Sequence, residues 1–112
     1  MQFAVLSRAV DSPNLPPQVT VKLAHDTFEL LASGREHRIT AAYPFAGQRA
    51  GLLIADVDSG EELQDLIASL PFAPIVTFEI HPIGTLQGVL KTLEQAQRRM
   101  AEMASAMAPA AN

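Results

Sequence analysis

Gly47 to Gly84 reads GQRAGLLIADVDSGEELQDLIASLPFAPIVTFEIHPIG, and the order of patterns within it decides the fold. Ala50 to Val57 is apolar at nearly every position, the signature of a strand covered on both faces and therefore central in its sheet. Asp58-Ser59-Gly60 breaks that strand. Ser59 or Asp58 can cap the helix that follows, with Glu61 and Glu62 in the first turn beside the positive end of the helix dipole. Leu63, Leu66, Ile67 and Leu70 fall on one helical face, and Pro71 with Pro74 stops the helix. From Ile75 the residues alternate. Val76, Phe78 and Ile80 occupy one side, and Ile75, Thr77, Glu79 and His81 the other, until Pro82 ends the strand or places it at an edge.

Working outward, Gln2 to Arg8 is a strand with Phe3 and Val5 on one face and Ala4 and Leu6 on the other, so it too belongs inside the sheet. Prolines 16 and 17 suit the first turn of a helix. Val19, Leu23, Thr27 (by its methyl), Leu30 and Leu31 then recur at helical spacing, with Lys22, Asp26 and Glu29 opposite and Gly34 as terminator. Arg35 to Phe45 reads as a strand whose Pro44 is tolerable only at an edge or a bulge, and Ala46-Gly47-Gln48 turns it into the central strand. The element order is βαββαβ, an α+β chain built on a four-stranded antiparallel sheet.

Asp56-Val57-Asp58-Ser59, two further residues, Glu62-Leu63, a Leu-rich helix, Ser69-Leu70-Pro71 and a strand ending at Pro82 resemble, in order and spacing, the muconolactone isomerase-like family. The likeness is close over the second half of the core; the first half shares only the order of elements, and the last 28 or so residues lie outside it. The resemblance implies a ferredoxin-like unit whose sheet meets that of a second copy face to face, a dimeric α/β barrel. One feature departs from the family. The tryptophans of the isomerases themselves are missing near His37 and Arg38, so the pocket lacks those aromatic walls.

The chain has 112 residues, 48% of them hydrophobic and 18% charged, which suits one globular unit. We divide it into a ferredoxin-like domain over 1–84 and a helical extension over 85–112. A net charge of −4, with no run of Lys or Arg, argues against nucleic acid as a partner. No cysteine is present, so there is neither a disulfide framework nor a thiolate nucleophile, and three histidines without ligand spacing speak against a metal. No cofactor is expected. No stretch approaches a membrane span or a secretory signal, so the expected location is the cytoplasm and no membrane partner is expected.

Two helices cover only one face of the sheet, yet Leu6, Ile39 and the central strand supply apolar side chains to the second. A second copy is the expected cover, making a homodimer or higher homo-oligomer. Thr77, Glu79 and His81 point toward that space or its rim. A carboxylate and an imidazole in a partly dry cavity are the parts of a cofactor-free proton transfer, with Glu79 and His81 as the acid/base pair; the plain alternative is a solvated strand end. Arg49 suits a substrate carboxylate, such as the one muconolactone carries, and Tyr43 a lactone oxygen. His25 and Lys22, beside Asp26 on the first helix, are further binding candidates at the cavity edge, although adjacent helix charges more often form a solvated face.

Function divides into two classes: a cofactor-independent isomerase of a small lactone or oxo acid, and a non-catalytic module that binds a small ligand or assembles through the same architecture. A cofactor-free oxygenase or cyclase shares that architecture as well. The tail is patterned independently. Leu86, Leu90, Leu93, Gln97, Met100, Ala104 and Met107 alternate spacings of four and three within a long helix from Thr85 to Ala108 that frays at Pro109. Its stripe is expected to dock on another subunit.

Overall fold

The computed structural model describes residues 1–11 and 13–107; Ser12 and residues 108–112, including the expected helix end at Pro109, lie outside the described residues. Strand β1 (Gln2–Ala9) leads to α1 (Pro17–Ser33), β2 (Ile39–Pro44), β3 (Ala50–Asp56), α2 (Gly60–Ser69), a 3-10 turn (Ala73–Ile75), β4 (Val76–Ile83) and α3 (Leu86–Met107). The four strands form one antiparallel sheet in the order β2-β3-β1-β4. The strands apolar on both faces, β1 and β3, are the inner ones. Those carrying prolines, Pro44 in β2 and Pro82 in β4, are the edges, where a missing N–H breaks no ladder on the outer side.

Local chemistry sets the element ends. Proline stands at the start of α1, and Gly34 closes that helix in the left-handed region at φ 69°. Ser59 caps α2 by accepting a hydrogen bond from the Glu62 N–H at 3.1 Å, while Glu62 reaches back to the Asp58 N–H at 2.8 Å, a reciprocal pair that satisfies two otherwise orphaned donors.

Register assigns the faces. Phe3 pairs with Ala55, Val5 with Leu53 and Ile80, Ser7 with Phe78, and Ala42 with Leu53, and this is the side the helices cover. The core contains Phe3, Val5, Leu53, Ala55 and Val57 from and beside the sheet, packed with Leu63, Leu66 and Leu70 of the α2 segment. Phe72 completes it with edge-to-face contacts to Phe28 and Phe78 at 6.4 and 6.1 Å. Thr27 of α1 is fully buried; its hydroxyl donates to the Leu23 carbonyl and accepts from the Phe72 N–H, both at 2.9 Å. On the opposite face Ala4, Leu6, Ala41, Leu52 and Ile54 are half-buried, with no element above them among the described residues.

Three expectations are corrected. Ile75 does not alternate outward with Thr77; the 3-10 turn rotates it into the core, where it is 4% exposed. Ile39 belongs to the helix-covered side, packed against the core, because a register irregularity between Ile39 and Ala41 shifts the alternation. β2 starts at Ile39 rather than Arg35. There the Arg38 guanidinium grips Glu36 through two hydrogen bonds of 2.8 and 2.9 Å, and the Arg38 N–H adds a third at 3.2 Å, which folds the approach into a turn.

That fork holds the Glu36 carboxyl at about 2, down from its ordinary 4.5, chiefly through the Arg38 side-chain hydrogen bonds. A depressed carboxyl stabilises the fold above its unfolded value, and the contribution is lost as pH falls from about 4.5 through about 2. Glu36→Gln is expected to cost about 1 to 2 kcal/mol at pH 7 and to flatten the acid limb of stability over that window. Urea denaturation at pH 7, 4 and 3 measures it, and parallel losses in variant and wild type would contradict the assignment.

Candidate functional site

A cavity of about 830 Å3 opens between α1 and the helix-covered side of the sheet, at the end where β1 leaves and β3 enters. Small side chains on both walls create it. Ser7, Ala42 and Gly51 line the sheet side and Ala24 and Ala32 the helix side, where larger residues would fill the space. Gly51 has to stay small, since a Cβ there would lie 3.0 Å from the Tyr43 carbonyl oxygen. Val21, Phe28 and Leu53 make the wall mostly apolar, and Thr20, His25, Gln48 and Arg49 supply polar side chains, with the Tyr43 carbonyl beside Gly51.

Each polar group is placed by its own element. Arg49 follows the Gly47 turn, where φ of 74° requires glycine, and its carbonyl accepts from the Ala9 N–H at 2.8 Å, which ties the arginine to the end of β1. Ser7 is 7% exposed, and its hydroxyl has no side-chain hydrogen bond among the described residues, so it faces the cavity as a free donor and acceptor. His25 stands on α1 at the cavity lining, with Nδ1 3.4 Å from Asp26 Oδ1 and 3.7 Å from Glu29 Oε2. The hydrogen bond from His25 holds the Asp26 carboxyl below the usual carboxylate range, and Lys22 at 3.3 Å adds to the effect. Two carboxylates beside Nδ1 favour the proton there, which leaves the Nε2 lone pair as the basic site.

The structure brings His25 and Arg49 around one cavity, which Tyr43 lines at its backbone, and the strand register leaves the Tyr43 side chain with Glu79, His81 and Thr77 on the other side of the sheet. Glu79 and His81 form a pair of their own, Nε2 to Oε1 3.2 Å, with side chains 68% and 55% exposed in the single chain. Thr77 donates to the Arg8 carbonyl at 3.4 Å and shares with Glu79 a shallow hollow of about 150 Å3. Lys22 lines neither space and acts on the cavity only through Asp26. Sequence reasoning missed Ser7 and Gln48. The strand alternation that places Phe3 and Val5 inward does place Ser7 inward, a lone hydroxyl on a core face.

His25, Asp26 and Glu29 could in principle hold a divalent ion, with ligand atoms within 4.8 Å of one another. They stand at the ordinary spacing of helix neighbours, and the carboxylates are already matched by His25 and Lys22, so the donor set reads as a charged helix surface. No described helix is long and apolar enough to cross a membrane.

Residues 3–88 match the family model of muconolactone delta-isomerase. Among solved structures, muconolactone isomerase superposes with a TM-score of 0.65 at 27% identity, over 76% of this chain and 90% of that one. The 5-chloro-2-hydroxyhydroquinone dehydrochlorinase TftG of Burkholderia phenoliruptrix AC1100, in complex with 2,5-dihydroxybenzoquinone, superposes with a TM-score of 0.56 at 16% identity, over 79% of this chain and 98% of that one. That second likeness is one of fold. No curated protein sequence matches the chain.

Proposed function

Since the chain belongs to the muconolactone delta-isomerase family, we propose that it is a cofactor-independent isomerase that moves a proton next to the carbonyl of a small lactone or oxo acid bound in the cavity beneath α1. The observation that carries this reading is the cavity itself, apolar on its walls with an arginine, a histidine and an unpaired serine hydroxyl on its lining. Such a site removes most water from a ligand while leaving a few groups to orient it. Arg49 takes the carboxylate through a two-pronged contact. His25 Nε2 accepts the proton from the carbon beside the carbonyl and returns it to another carbon of the same molecule, so no electrons leave the substrate. Ser7 donates to the oxygen on which negative charge develops, and ionised Asp26 steadies the imidazolium between the two transfers.

Turnover of muconolactone followed by ultraviolet absorbance tests the substrate, and Arg49→Ala tests the anchor. A rim arginine paired with a carboxylate is expected to raise KM about 10- to 30-fold when removed, with Arg49→Lys between. An unchanged KM would remove Arg49 from the site. An inactive wild type that still binds the lactone would favour the non-catalytic ligand-binding module.

A second reading rests on the 3.2 Å contact between His81 and Glu79. A second copy laid over Ala4, Leu6, Leu52 and Ile54 would bury the exposed sheet face in a homodimer and dry the space beside that pair. Glu79→Gln combined with His81→Ala would then abolish turnover while His25→Ala spared it.

A further inference from the structure

Helix α3 lies almost entirely beyond the family match, which ends at residue 88, and none of its residues is buried. It is a 22-residue helix that extends the molecule to 81 Å along its long axis, and no element among the described residues buries any part of it. Thr85 caps it by accepting from the Gly88 N–H at 2.9 Å. Its seam is bare. Leu86, Leu90, Leu93, Met100 and Met107 are 55 to 79% exposed, and Val89 and Met103, on the flank of the same stripe, are 54% and 61% exposed. Helical stability in proteins comes mainly from packing an amphipathic face, so a helix with none of its residues buried lacks its main support.

We propose that α3 is a self-assembly helix, which buries its Leu and Met seam along a parallel α3 of a second copy, with Gln97 facing its own counterpart. Three observations select this occupant. The spacing of four and three runs through three heptads without a break, the pattern by which one helix recognises another like it. Gln97 is the one strongly polar residue on the seam, and a single polar side chain there sets the register of paired helices. In a parallel, in-register pair it meets its own copy, and two side-chain amides can hydrogen-bond each other. Against the apolar cavity of another domain that amide would be buried with little to pair with. Lastly, Lys91, Arg98 and Arg99 are balanced by Glu94 and Glu102 away from the seam, a mixed face suited to water. Apolar residues at Val89, Ala96 and Met103 widen the stripe beyond a narrow two-helix seam, so the contact can also admit a second pair of helices.

The chain has no cysteine, so single-cysteine variants of the full-length protein report proximity without interference. Under mild oxidation, Gln97→Cys is expected to form the intermolecular disulfide at least about 10-fold faster than Lys91→Cys on the outer face, because bridging needs Cα atoms about 4.4 to 6.8 Å apart. Equal rates would overturn the proposal. Leu93→Lys with Met100→Lys places charge in the seam and is expected to lower the mass seen by light scattering, while the far-ultraviolet signal of the sheet domain persists. An unchanged mass would overturn it. So would a fall in mass without preferential crosslinking at position 97, which would mean that α3 docks on the domain of another copy instead.

Discussion

His25→Ala is expected to lower kcat on the lactone substrate by about 10²- to 10⁴-fold, the usual contribution of a positioned general base. KM should stay within about threefold, because in the proposed complex Arg49 and not His25 holds the anion, and the apolar walls are untouched. His25 is exposed on α1, so its removal leaves the core intact and the variant should melt with the wild type. The imidazole is set up by what surrounds Nδ1, where Asp26 lies at 3.4 Å and Glu29 at 3.7 Å. Asp26→Asn should therefore reduce kcat less than His25→Ala does, since Glu29 still faces the ring. Steady-state kinetics decide it: a kcat within threefold of wild type for His25→Ala removes the proposed base.

The second large effect is structural. Thr27→Val keeps the shape of a residue that is fully buried but removes the hydroxyl that accepts from the Phe72 N–H at 2.9 Å. That N–H then has no partner and no water, at a cost of about 2 to 3 kcal/mol. For a domain of this size the melting temperature should fall by about 10 °C. Thr27→Ser retains the hydroxyl and loses only a methyl, so it should cost about 1 kcal/mol. Thermal unfolding followed by circular dichroism compares the two, and a valine variant as stable as the serine variant would show that the hydrogen bond carries nothing. The pairing matters to the site because Thr27 and Phe72 fasten α1, the roof of the cavity, to the segment after α2.

Much of the fold was legible because its determinants are local. The cap at Ser59, the stops at Gly34 and Pro71, the two-sided apolar runs of β1 and β3 and the prolines of the edge strands each announce themselves within a few residues. The corrections arise where a neighbour distant in space decides the outcome. Ile75 continues an alternating run in the sequence, but the Val10 N–H bonds its carbonyl at 3.0 Å and it turns inward as part of a 3-10 turn. Arg35 to His37 does not join the ladder, which reaches only the Arg38 carbonyl through the Asp56 N–H at 2.7 Å, and the Glu36 fork folds the approach into a turn. The cavity was the least legible feature. It exists because Ser7, Ala24, Ala32, Ala42 and Gly51, scattered over 45 positions, face one another with too little volume to fill the gap. A period of two or of 3.6 tells which way a residue faces, but not how much room lies opposite it. For the same reason Glu79 and His81 were readable as a pair, whereas their separation from Arg49 and His25 by the thickness of the sheet was not.

The prolines at the two rims of the sheet have a consequence for how copies of this chain can meet. Pro44 in β2 and Pro82 in β4 each withhold an N–H from the outermost strand on their side. A newcomer strand seeking to lengthen the ladder would find a gap in the donor row at either margin, with the ring of proline in its path. Growth by endless strand addition, the route to fibrils, is thereby discouraged at both ends of a sheet whose inner strands are rich in leucine, isoleucine and valine. The chain can carry such aggregation-prone segments because they are shielded by neighbours on each side, and the strands left outermost are poor templates.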